Sequence, residues 1–104
     1  MRIIVDSLPA DPVTVLRRLG YAFQRKEGAE MSFVRPLARS GFPRFHCYAT
    51  ISGASMTINF HLDQKRETYG QDTRHHGEYE ADGALKEEAD RMISLLGNGS
   101  RILL

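Results

Sequence analysis

The chain has 104 residues, 41% of them hydrophobic and 26% charged, with 14 Lys and Arg against 13 Asp and Glu, the make-up of one ordinary globular domain spanning 1–104. That length buries roughly two-thirds of the surface an unfolded chain exposes, enough for a core without metal or disulfide staples. The lone cysteine, Cys47, excludes an internal disulfide framework and suits a reducing compartment. No apolar run approaches the roughly 20 residues of a membrane span and the opening MRIIVDSLPA is too short for a signal peptide, so a cytoplasmic protein with no membrane partner is expected.

Charge is unevenly spread: residues 1–50 carry eight Lys and Arg against four Asp and Glu, and residues 51–104 carry six against nine. Arg supplies 11 of the 14 cations, and its planar fork suits phosphate and carboxylate. Residues Arg2 to Val5 are β-branched enough for a strand, which Pro9 and Pro12 then limit. Asp11 is a good helix N-cap, with Pro12 at the first helical position, Val13, Leu16 and Leu19 at helical spacing and Gly20 placed for a stop. Tyr21 to Arg25 and Met31 to Arg35 read as strands around KEGA, where Gly28 can take a positive φ.

Between Arg44 and Asp63 two alternating runs flank SGAS, and Gly53 followed by Ala54 fits a two-residue turn with glycine first. If Ser52 faces Ser55, then Phe45 faces Leu62, Cys47 faces Phe60, Ala49 faces Ile58 and Ile51 faces Met56, all apolar. The other face pairs Arg44 with Asp63, His46 with His61, Tyr48 with Asn59 and Thr50 with Thr57, all polar. A one-residue slip would mix the two sets, so this register is expected to hold. Near the end, Asp82 can cap a helix whose Leu85, Ala89, Met92, Ile93 and Leu96 form one stripe ended by Gly97, with Glu87 and Arg91 paired on its outer face. The apolar hairpin face must meet the helices. The expected class is therefore α+β, a two-layer sandwich with a mostly antiparallel sheet of four or five strands and two helices on one face.

Opposed histidines have Cβ atoms about 5 Å apart, close enough to share one ion or one phosphate. The segment Gln64–Glu80 lacks periodicity and reads as a long functional loop able to bring His75 or Glu78 beside the pair. Three chemistries fit. Zinc would take His46, His61 and either His75 or Glu78, the first choice being His75, although no compact ligand spacing supports it, and Asp63 would orient one ring. No cofactor is expected, since two of those ligands lie on a loop that is costly to order. The histidine pair with Lys65 or Arg44 could instead cleave RNA by general acid–base catalysis. The third is binding without chemistry, with Arg44, Tyr48, Asn59 and Lys65 holding the ligand. Cys47 points to the apolar face and is expected to be a packing residue.

Two resemblances attach to quoted residues. LGYAFQRKEGAE at 19–30 resembles the opening of HicA-type mRNA-interferase toxins, with Gly20, Tyr21, Arg25, Gly28 and Ala29 matching or nearly so. Glu30 stands where that family places its catalytic histidine, so the resemblance implies an early α-β-β order and no carried activity. FPRFHCY, HLDQK and HHGEYE together resemble a group of short bacterial proteins. That likeness implies that Phe45, His46, His61, Leu62, Asp63, Gln64, Lys65, His75, Gly77, Glu78 and Tyr79 belong to one signature, and implies no activity. The function expected is a small binding module. Its ligand residues are Arg44, His46, Tyr48, Asn59, His61, Asp63, Lys65, His75, Glu78 and Tyr79, with RNA as the first ligand class and a protein partner or a His-ligated metal site of a small hydrolase as alternatives.

Overall fold

The computed structural model describes residues 1–64 and 72–103, with side chains described for 1–64 and 83–103. The chain runs β1 (Arg2–Val5), α1 (Pro12–Arg18), β2 (Ala22–Glu27), β3 (Glu30–Pro36), β4 (Arg44–Ser52), β5 (Ser55–Asp63), α2 (Asp72–Leu96) and β6 (Ser100–Leu103). All strand pairs are antiparallel and the sheet order is β2-β3-β4-β5-β1-β6. The fold is the expected α+β class, with the early α-β-β order at α1, β2 and β3. Among the described residues no helix is long and apolar enough to cross a membrane.

The six strands exceed the four or five expected, because β6 closes the far edge against β1. Four residues are too few for a readable alternation. What makes Ser100–Leu103 a strand is its partner, with Arg2 opposite Leu103 and Val5 opposite Ser100.

Local chemistry sets α1. Asp11 accepts from the Thr14 backbone N–H at 3.1 Å and from its hydroxyl at 2.7 Å, satisfying donors that the helix start leaves free. At the other end the Gly20 N–H donates to Arg17 O and the Tyr21 N–H to Leu16 O, both at 2.9 Å, a Schellman closure. It requires the positive φ of 95° that Gly20 adopts, a conformation a side chain would strain.

The register of β4 and β5 is the one the alternation dictates, from Arg44 opposite Asp63 to Ser52 opposite Ser55, and Gly53 turns with φ 63°. Phe45, Cys47, Ala49, Met56, Ile58 and Phe60 are buried together with Ile3, Val5 and Phe33, under Val15 and Leu16 of α1, its cap Leu19, and Ala89 and Met92 of α2. Both helices thus pack on one side of the sheet. Cys47 is fully buried there, and burial pushes its thiol well above the ordinary range, which leaves it protonated and unreactive.

Two expectations about α2 are corrected. The helix begins at Asp72, ahead of the Asp82 cap, so the stretch expected as a loop as far as Glu80 is helical from Asp72 onward. Nothing there forbids helix: no proline occurs between Pro43 and the end, and Gly77 and Gly83 each cost about 1 kcal/mol relative to Ala. The glycines blur the stripe without breaking the backbone, and a helix already docked through Ala89 and Met92 extends at little nucleation cost.

Arg91, in turn, does not pair with Glu87. Its guanidinium holds Glu88 at 2.8 Å from both Nε and Nη2 and donates to Leu19 O at 2.6 Å. Glu88 is only 3% exposed and also accepts from the Tyr21 hydroxyl at 2.8 Å and Arg35 at 3.3 Å. Burial, with Glu88 alongside, pushes the Tyr21 hydroxyl far up, so it stays a donor. Removing one member of such a cluster strands the others, a loss of about 3 kcal/mol or more. Glu88→Ala is expected to destabilise by that amount in urea unfolding, while Glu87→Ala changes stability by less than about 0.5 kcal/mol, as is usual for exposed positions.

Candidate functional site

The face of the sheet opposite the helices carries the polar half of the alternation. Strand pairing sets Arg25, Ser32, Tyr48, Asn59, Arg2 and Leu103 on one rung, and Val34, His46 and His61 on the next. One further residue pair along, Arg44 opposes Asp63. Three rings meet where these rungs adjoin: Tyr48 lies 4.5 Å from His46 and 5.9 Å from His61, the latter stacked at 27°, and the two imidazoles are 5.2 Å apart.

Asp63 is the hub. Its Oδ1 lies 2.9 Å from His61 Nε2, and its Oδ2 lies 3.4 Å from His46 Nδ1 and 3.2 Å from Arg44 Nε. Arg44 is further held over the Phe42 ring at 4.5 Å, a cation–π contact that fixes its direction. The two histidines are not equivalent. His61 is 47% exposed, whereas His46, hemmed in by Val34 and Tyr48, is 13% exposed. The Nε2 of His46 is buried without a hydrogen-bond partner among the described residues.

Burial is the largest influence on His46 and lowers its pKa below the ordinary 6.5; Asp63 pulls it back up, while His61 and Arg44 push it down. His46 is therefore neutral at pH 7, and the outward ring of the pair is His61.

Of the residues expected at the site, Arg44, His46, Tyr48, Asn59, His61 and Asp63 stand together on this face. Lys65 and the side chains of His75, Glu78 and Tyr79 lie outside the described residues, although positions 75, 78 and 79 belong to the first turns of α2. The structure adds Arg2 and Arg25, which flank the Tyr48–Asn59 pair on its two sides. Only the strand order could have revealed them, since neither neighbours the hairpin in sequence. One oxygen or nitrogen from each of His46, His61 and Asp63 lies within 4.8 Å of the others, the spacing of groups able to converge on one ion or one proton.

No protein-family model matches the chain, and no curated protein and no solved structure matches it.

The environment of His46 sets a pH dependence. Because its folded pKa lies below its unfolded value, the unfolded chain takes up a proton first as pH falls. His46 therefore contributes stability that is full above about pH 6.5 and lost as pH drops through the folded value. Urea midpoints measured in chelator from pH 7.5 to 5 are expected to decline for the natural chain, and the decline is expected to be shallower for His46→Gln.

Proposed function

We propose that this protein is a small binding module that takes RNA on the polar face of its sheet. The observation that carries the reading is the stack of Tyr48 and His61 in the middle of that face, with an arginine to either side on the Tyr48 rung, Arg25 on β2 and Arg2 on β1. Single-stranded RNA is held by rings on which unstacked bases lie and by cations that follow its phosphates. Tyr48 and the exposed His61 supply the first, Arg2 and Arg25 the second, and Asn59 between them offers an amide to a base edge. Arg44 is committed to Asp63, so its part is to hold the site in shape. The reducing compartment that suits the single buried Cys47 supports a cytoplasmic setting.

Stacking on an aromatic ring is worth about 1–3 kcal/mol per base, so Tyr48→Ala is expected to weaken binding of a short unstructured RNA about tenfold or more. Neutralising both Arg2 and Arg25 removes about two phosphate contacts, and the slope of log affinity against log salt is expected to flatten by about 1.4. Fluorescence anisotropy over a salt series reads both effects. RNA that fails to bind at low salt, or that binds Tyr48→Ala as well as the natural chain, overturns the reading in favour of a protein partner.

A further inference from the structure

The cluster at one end of this face has a geometry that base stacking does not require. Zinc takes imidazole nitrogens at about 2.0–2.1 Å and carboxylate oxygens at about 2.0–2.2 Å in tetrahedral sites, so the ligand atoms around one ion stand about 3.3–3.5 Å apart. His46 Nδ1 is 3.4 Å from one oxygen of Asp63 and His61 Nε2 is 2.9 Å from the other, and all three residues offer an atom within 4.8 Å of the rest. Each imidazole thus stands near that spacing from an oxygen of Asp63, and the backbone pairing of β4 with β5 is what places the three residues together.

Two further observations favour a cation. With its proton on the buried Nε2, a neutral His46 presents its Nδ1 lone pair to the cluster, 3.4 Å from Asp63. Arg44 donates to Asp63 Oδ2 and fixes the carboxylate plane, the role an outer-shell partner plays around ligating carboxylates. Two imidazoles and one carboxylate suit zinc better than calcium or magnesium, which take oxygen shells.

We propose that His46, His61 and Asp63 form a three-ligand zinc(II) site whose fourth position opens to solvent on the side of the exposed His61. Three protein ligands and one free position are the pattern of zinc sites that bind water or an anion. This site goes beyond the RNA reading and does not depend on it. It replaces the His75 expected from sequence with Asp63, which stands on the same strand as His61 and needs no loop to be ordered.

The test uses the full chain without an affinity tag, stripped with chelator and titrated with zinc in a calorimeter. One zinc per chain is expected. The double variant His75→Ala/His76→Ala, which removes the only other histidines, is expected to bind it unchanged. His61→Ala and Asp63→Ala are each expected to lose about 100-fold in affinity, the upper end of what losing an outer partner alone costs, and Tyr48→Ala to lose none. Cobalt(II) in the natural chain gives a readout independent of any variant's folding: visible d–d bands of tetrahedral intensity with no thiolate charge-transfer band are expected. No zinc uptake at micromolar concentration, uptake that His61→Ala leaves intact, uptake lost in His75→Ala/His76→Ala, or an octahedral cobalt spectrum each overturns the site. RNA anisotropy repeated in chelator separates the two readings, since RNA binding there stands or falls without zinc.

Discussion

One turn decides which side of the sheet every side chain of β4 and β5 occupies. With Ser52 opposite Ser55, Phe45, Met56, Ile58 and Phe60 enter the core, each contributing about 1.5–3 kcal/mol of burial. A slip by one residue would turn them all into water. Against a loss of that size nothing on the polar face has a vote, and His46 and His61 are held side by side whether or not the two imidazoles favour it. The crowding of two rings and an arginine around Asp63 is thus imposed by packing on the other side of the sheet. A site of this kind is preorganised by the core, with the entropy of bringing its groups together already met in folding.

The second layer is secured differently. Glu88 brings a carboxylate into the core and gathers Tyr21, Arg35 and Arg91 around it, while Arg91 also takes the last free carbonyl region of α1 at Leu19. These bonds join α2, the end of α1 and β3 at one point. A buried cluster adds little net stability compared with apolar packing but allows few alternative dockings, since any shift of α2 leaves a charge without its partner. Oily contacts from Ala89 and Met92 hold the helix down, and the charge cluster sets where along the sheet it lies.

What could be read beforehand shares a physical property: the signal was local or strictly periodic. Asp11, Pro12 and Gly20 delimit α1 through their own backbone chemistry, and the alternation from Arg44 to Asp63 admits one register. Where the determinant was distant the sequence was mute. Ser100–Leu103 is a strand because β1 lies beside it, and Arg91 bonds Glu88 in place of Glu87 because Tyr21, Arg35 and Leu19, far away in the chain, meet it there. The early start of α2 was hidden by Gly77 and Gly83, which weaken the pattern more than they weaken the helix. At the site, the histidine pair and Asp63 were legible from the hairpin alone, while Arg2 and Arg25 join them only through strands whose place in the sheet no local pattern states.

The pairing of Met1 has a practical bearing. Its backbone exchanges hydrogen bonds with Phe60, the Phe60 N–H donating at 2.9 Å to Met1 O and the Met1 amino group at 3.4 Å to Phe60 O. Among the described residues, the flank of β5 at His61, Leu62 and Asp63 has no strand neighbour on that side. Because β1 runs antiparallel to β5, a residue joined ahead of Met1 and extended as β1 is would continue along this flank. The first such residue falls beside His61, with its side chain on the same face. A purification handle fused at that end would grow into the ring cluster as a short extra strand, and a polyhistidine handle would set foreign imidazoles next to native ones.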